Sequence, residues 1–512
     1  MKNRFKFTLI LSLAMLFSCS EDYLNRSPYD KISKLNFDPD LALMGTYNIL
    51  RRNEISQEMH AFDACTPINY TRFRQWNKFP KGTATSDGGR SGRLWEDLYK
   101  GIFRANDFLI SLEAHEGMSP ADKIIYEAEA RFLRGYFYHR LFSSFGRCIL
   151  TLEPLTIENA RQQVRASETD ILDAIFADLD FAEENLSETA RLSGGATKGA
   201  AMALKARVHL YEGNWQGVID ETQKVINLGV YDLYEDEFPE DNFAKIFHHE
   251  NELNKEVIFD VAFSGGHFDD GNAFQTYING KAHEMNPGFV RSNPTMYLVS
   301  KFENRDGTPV TDPKDVSNRD YRFYASILYP GATFNGVVDP PGMLRQSQTG
   351  MNQRKYTMEF DEMFLTMRRG INNFILLRYA DILLMYAEAQ NELVGPDASV
   401  YAAVNRLRSR GGILDLPAGL SKAEMRERIH NERIVELAFE GLALWDMRRW
   451  GKAGTIEGSM DAITYMATYS PVGWDGQTPA DYVFAEKDYL WPIPLNSIDN
   501  IPTLEGDQNP GW

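Results

Sequence analysis

Two long stretches of this chain carry apolar residues at three- and four-residue spacing, and such a chain must pack helix on helix. Asp40 to Leu228 holds six of these segments, at 40–51, 94–112, 120–145, 167–186, 197–212 and 214–228. Thr169, Thr197 and Asn214 are placed to cap helix starts, and Gly146, Gly213 and Gly229 to end helices. The pattern returns at 374–394, 397–410 and 421–440, the last running on toward Trp450. Between these stretches, residues 231–373 are rich in Gly, Pro, Asn and Asp, with short apolar runs such as Val257-Ile258-Phe259. That composition predicts irregular loops and a few short strands. The expected fold class is therefore mainly α: a helical scaffold at 39–230 and 374–512, interrupted by a loop-rich lobe of the kind that carries binding surfaces.

Residues 197–228 read as a helical hairpin with small residues where the helices approach, similar to a tetratricopeptide unit. Hairpins of this kind stack into a support. The segment 374–394 is apolar nearly all round and is expected at the centre of the fold. At about 100° per residue, Arg378, Asp381, Glu388 and Glu392 share one stripe. Arg433, Glu436 and Glu440 share a face of the next helix. Opposed stripes would pair Arg with carboxylate, because an unpaired buried charge is costly. The alternative, a catalytic carboxylate pair, needs a raised pKa that nearby guanidinium groups oppose.

With 54 Lys and Arg against 72 Asp and Glu, the net charge is −18, which argues against a nucleic-acid partner. No metal or cofactor is expected. His248-His249-Glu250 lacks the spacing of a zinc helix motif, and neither Asp306-Gly307 nor Asp269-Asp270-Gly271-Asn272 continues as a calcium loop. Neither a Gly-rich phosphate cradle nor a nucleophile elbow occurs. Cys65 and Cys148 are open to two readings, a pair or two buried free thiols.

At the N-terminus, Lys2, Arg4 and Lys6 precede an apolar run from Phe7 to Phe17 that is too short to span a bilayer. It closes on Leu16-Phe17-Ser18-Cys19. This resembles a bacterial lipoprotein signal at 1–18, which implies that Cys19 is acylated and anchors the mature chain in lipid. An ordinary secretory leader with an incidental cysteine is the alternative. Losing the leader removes three positive charges and takes the net charge from −18 to −21. Anionic lipid then repels the protein, leaving the acyl chains as the attachment. Residues 19–38 read as a tether, and no other apolar run approaches the length of a membrane span.

Six ordered segments resemble one family. They are AEARFLRGYFYHRLFSSFG (128–146), TKGAAMALKARVHLYEGNW (197–215), LLRYADILLMYAEAQNE (376–392), VNRLRSRGG (404–412), NERIVELAFEGLALWDMRRWG (431–451) and LWPIPLNSIDNIPTLEGDQNPGW (490–512). All are similar to segments of the SusD/RagB-like outer-membrane lipoproteins of Bacteroidetes. The turn Gly146-Arg147-Cys148-Ile149 departs from that family's Gly-Gly-Val-Pro-like pattern. The resemblance implies four helical-repeat pairs as scaffold and a cell-surface protein that binds without catalysis. It implies capture of glycans, or in some branches peptides, for a SusC-like TonB-dependent barrel.

Flat rings stack on the C–H faces of pyranoses, and planar polar groups take the hydroxyls, so a sugar site is expected on exposed loops. One candidate is Asn69-Tyr70-Thr71-Arg72-Phe73-Arg74-Gln75-Trp76-Asn77, with Trp76 leading and Tyr70, Arg74 and Asn77 beside it. The other is the 264–350 region, with Phe268, Phe274, Tyr277, Phe289, Tyr324 and Phe334. Trp445 and Trp450 are expected in the core, and Trp491-Pro492-Ile493-Pro494 is expected to clamp the C-terminus onto the helices. A glycoside hydrolase and a helical-repeat adaptor for proteins are the competing classes.

Overall fold

The computed structural model describes residues 37–264, 271–278, 288–340, 344–359 and 370–512. Cys19, the tether to residue 36 and Phe268 lie outside the described residues. The helices form where the periodicity predicts them. Helix α1 (Pro39–Tyr47) is capped by Asp38 and runs on as a 3-10 turn to Arg51. Helices α2 (Gly89–Ala114) and α3 (Pro120–Phe145) follow, and α3 opens on Ser119 and Pro120 and stops at Gly146, φ 68°. Helix α4 (Glu168–Asn185) is capped by Ser167, not Thr169, because the Ser167 hydroxyl accepts from the Asp170 N–H at the third position. Thr197 caps α5 (Lys198–Tyr211), and Asn214 caps α6 (Trp215–Leu228), which ends on left-handed Gly229.

Each of these helices packs on the next from α2 to α6, and α6 then receives α7 (Tyr379–Leu393) from beyond the insertion. Helix α7 carries α8 (Ala398–Arg410) and α9 (Lys422–Leu437) on its other sides. Close approach of α2 to α3 depends on Gly101, where a Cβ would sit 2.5 Å from the Phe137 ring. Among the described residues, no helix is long and apolar enough to cross a membrane.

Two expected boundaries are corrected. Residues 374–378 are a strand, not the first turn of α7. All five are buried, and an apolar run buried on every side suits a central strand as well as a helix. The segment at 421–440 ends at Leu437, because Phe439 (φ 68°) and Gly441 (φ 75°) turn the chain before α10 (Ala443–Ala453). The strands are short and pair in twos. They are β1 (Asn69–Tyr70) with β3 (Asn293–Pro294), β2 (Val257–Val261) with β8 (Phe374–Arg378), β4 (Ile327–Leu328) with β7 (Asn352–Gln353), and β5 (Thr333–Phe334) with β6 (Val337–Val338).

The charged stripes meet as ion pairs. Arg378, on β8 just before α7, reaches Glu256 at 2.9 Å, Glu436 at 2.6 Å and Glu440 at 2.7 Å, all buried. Arg433 joins Asp381 (3.0 Å) to Asp446 (2.9 Å), and Arg449 holds Glu388 with two donors. Burial alone would raise Glu436, yet Arg410, Arg378 and Arg322 hold its carboxyl well below the usual range. Glu388 stays low against burial through Arg449 and His430, and Glu440 through Arg378 and Lys355. These carboxylates are ionised scaffold groups. Trp445, Trp450 and Trp491 are core residues, and the Trp491 N–H bonds the Ser144 carbonyl at 2.8 Å, fastening the C-terminal stretch to the end of α3. Cys65 and Cys148 are buried free thiols, each pushed up to about 12 by burial.

Candidate functional site

Pairing of β1 with β3 brings together two loops more than 200 residues apart in sequence, with Asn69 opposite Pro294 and Tyr70 opposite Asn293. Side chains close the splice: Asn69 Nδ2 donates to Ser292 Oγ (3.0 Å), and Arg72 Nε donates to the Phe289 carbonyl (3.1 Å). At its centre the Arg291 guanidinium lies 4.1 Å from the Phe73 ring centroid, 4.1 Å from Tyr277 and 4.9 Å from Phe289. Its charge is met by Glu58 at 3.0 Å. Arg90 also lies over the Phe73 ring, at 4.9 Å, and pairs with Glu54 and Glu58. Burial raises the Glu58 carboxyl, against the pull of Arg90 and of the Trp76 N–H. Arg72, Arg74, Gln75 and Phe289 are exposed around this cluster, with Phe73 half-buried.

The leading candidate from sequence is corrected here. Trp76 is 0% exposed. The loop coils into a short helix, Arg74–Asn77, that turns Arg74 outward and the indole inward. There its ring meets Phe62 at 5.0 Å and Trp491 at 5.7 Å, and Nε1 donates to Glu58 Oε2 at 2.8 Å. The buried carboxylate supplies the polar partner that a polar-looking loop seemed to deny an indole. Tyr70 and Asn77 are buried too: Asn77 Nδ2 bonds the Tyr70 hydroxyl (3.1 Å) and the Thr71 carbonyl (2.6 Å), pinning the turn from inside.

Most rings of the second region are likewise inside, since a lobe of loops needs rings to fill its own core. Phe274 packs against Tyr356 and Phe374, and Phe334 sits in a small cluster with Leu328, Leu344 and Met358. Tyr277 is buried beneath Arg291. Tyr324 is half-buried, and its hydroxyl donates to the Val316 carbonyl at 2.6 Å. Of the described candidates, Phe289 and Arg74 are exposed.

Sequence reasoning missed a further ring pair. Tyr329 and Trp474, both half-buried on loops, stack at 6.3 Å and 23°, with Phe323 behind Tyr329 at 5.0 Å. The Trp474 loop is fastened by its own N–H on the Thr349 carbonyl (2.7 Å). It also missed Arg291, and a polar cleft of about 580 Å³ beside Tyr277 with Arg51, Arg52, Arg93 and Lys100 in its walls. A second cavity, of about 470 Å³, lies in the scaffold between α9, α10 and Tyr297. Its Lys301 is taken by Glu457 (2.7 Å) and its Arg428 by Glu303 (2.5 Å).

Residues 255–512 match the family described as "SusD family", and residues 22–210 match "Starch-binding associating with outer membrane". The chain belongs to the SusD family. A SusD-like protein, P25, of Formosa agariphila is 27% identical over 490 residues, covering 86% of this chain and 89% of that one. A SusD-like protein of Bacteroides fragilis has a solved structure with TM-score 0.80 and 27% identity, covering 95% of this chain and 100% of that one. A second from the same species, titled a SusD-like carbohydrate binding protein, gives TM-score 0.79 at 25% identity, over 92% and 99%. The SusD-like fold thus accounts for the helical scaffold, and the buried ion pairs of α7 and α9 fall within the stretch that matches the SusD family.

Proposed function

We propose that this SusD-family protein captures glycans on the face where the 69–78 and 288–294 loops meet, without altering a covalent bond in them. In this reading it passes them to a SusC-like TonB-dependent barrel while acylated Cys19 holds it on the outer face of the outer membrane. The observation that carries it is the Phe73–Arg291–Phe289 cluster, in which exposed Phe289 and half-buried Phe73 flank the half-buried Arg291 guanidinium where β1 and β3 pair. Rings offer apolar faces to sugar C–H groups, and guanidinium donors take oxygens. The fold is also shared by a protein titled a laminarin binding SusD-like protein, at TM-score 0.72 and 23% identity, which supports a glycan as cargo.

Affinity electrophoresis of the lipid-free protein through gels containing polysaccharides tests the binding step. Retardation without product release is expected, and Phe73→Ala with Phe289→Ala should weaken it while the fold survives. Sugar release would indicate a hydrolase instead, and peptide binding with no glycan retardation would indicate the alternative cargo. Membrane fractionation tests the anchor: Cys19→Ala is expected to move the protein out of the membrane fraction, and continued retention there refutes the lipid attachment.

A further inference from the structure

We propose that the glycan is anionic, a sulfated or uronic-acid polysaccharide, held by an arginine-rich face. This rests on the glycan-capture reading above and specifies its ligand. The chain as a whole is strongly acidic, with 72 Asp and Glu, yet from Ala64 to Ser86 it carries Arg72, Arg74, Lys78 and Lys81 and no carboxylate. Of these, Arg72, Arg74, Lys78 and Lys81 are all exposed. The fold sets this loop beside the cleft that holds Arg51, Arg52, Arg93 and Lys100. Tyr277 joins the two, lining the cleft on one side and lying under Arg291 on the other. Arg90 joins them again, pairing with Glu54 in the cleft wall and covering Phe73 on the loop.

Among the described residues, three carboxylates face the same cleft and must be counted. Glu54 is taken by Arg90, and Asp97 by Lys100 at 3.0 Å, which leaves exposed Glu96. Arg52, Arg74 and Arg93 form no ion pair among the described residues, and all three are exposed. A net charge of −18 repels polyanions at long range, so this face is a local reversal of the protein's field. The chemistry of the exposed groups points the same way. Of the described rings expected to stack on neutral sugars, Trp76, Tyr70, Phe274, Tyr277 and Phe334 are buried, and the one left exposed, Phe289, lies beside the exposed guanidinium of Arg72. Guanidinium forks match carboxylate and sulfate oxygens with two parallel donors.

The test uses the lipid-free protein and matched pairs of polymers: a sulfated galactan with its desulfated form, and polygalacturonate with its methyl ester. Binding to at least one charged member is expected, falling about tenfold or more when its charge is removed. The pair that responds tells sulfate from carboxylate. Arg52→Gln, Arg74→Gln and Arg93→Gln combined should cause a loss of similar size, and added salt should weaken binding progressively. Exposed Lys314→Gln, on another loop, should leave binding unchanged. Equal or tighter binding of the uncharged polymers overturns the anionic assignment while leaving glycan capture standing. So does a Lys314→Gln effect as large as that of the triple variant, or tighter binding of poly-glutamate than of any charged glycan. Retention by no polysaccharide, charged or neutral, overturns both.

Discussion

Replacing Trp76 by Ala tests the placement that sequence and structure read differently. The indole is fully buried, and large aromatic-to-Ala changes in cores cost about 3–5 kcal/mol. The substitution also removes the 2.8 Å donor to Glu58 Oε2. Arg90 and Arg291 still face Glu58 Oε1, so the carboxylate keeps cationic neighbours, and the lost bond adds about 1–3 kcal/mol. A total of about 4–8 kcal/mol is a large part of the stability of an ordinary domain. Trp76→Phe separates the two terms: it keeps most of the ring contacts with Phe62 and Trp491 but not the N–H, and should cost about 1–3 kcal/mol. The assay is the shift of the guanidinium unfolding midpoint, with glycan retardation measured well below it. A loss under about 1 kcal/mol in Trp76→Ala, accompanied by abolished binding, would refute the reasoning and put the indole in the ligand site.

Arg378→Met should destabilise by about 3–5 kcal/mol, since it strips the shared cation from Glu256, Glu436 and Glu440. Arg378→Lys should recover part of that, because an ammonium cannot span three carboxylates as a fork does. Unchanged unfolding midpoints in both would contradict the pairing. Gly101→Ala should lower stability by about 1–3 kcal/mol, the cost of forcing Phe137 off the new methyl outweighing the gain in helix propensity. A stabilised variant would mean that α2 and α3 can part freely. Asp260 accepts from the Asn373 side chain at 2.8 Å and has no cation beside it among the described residues, and burial raises its carboxyl from 3.8 to about 6. The folded state therefore binds this proton more tightly than the unfolded chain, so its contribution to stability is lost as pH rises from about 4 to 6. Asp260→Asn should stabilise at pH 8 by about 3 kcal/mol at most and change little at pH 4; an equal effect at both pH values would sink the titration argument.

How much of this was legible beforehand follows from how local each signal is. Helix starts at Thr197 and Asn214 are written within four residues, and the stops at Gly146, Gly213 and Gly229 within one, so those boundaries could be read directly, whereas Thr169 misplaced a start by two residues. The 374–378 strand could not, because its apolar run is the same whether β2 or another helix covers it. The convergence of charge at Arg378 was foreseen from helical angles although Arg378 precedes the helix. What made it predictable was the scarcity of buried options for Glu436 and Glu440, not the geometry assumed.

The proposed binding face was the least legible part, and the reason is particular. Whether Trp76 points out or in depends on Glu58 and Trp491, the first 18 residues before it and the second on the C-terminal stretch. Arg291 belongs to the face only because β3 pairs with β1 across the whole helical region. Ring content along the sequence therefore overstated the stacking surface, since rings in a loop-rich lobe are drawn first to its own core. Charge behaves in the opposite way. Arg goes inside where carboxylates wait for it, as Arg378 and Arg433 do, so in a run without carboxylates of its own, such as 64–86, the cations Arg72, Arg74, Lys78 and Lys81 stay exposed. On the proposed reading, local charge reversal is the better sequence pointer to the ligand in an acidic chain of this fold, and the matched-polymer experiment tests that ordering as well as the ligand.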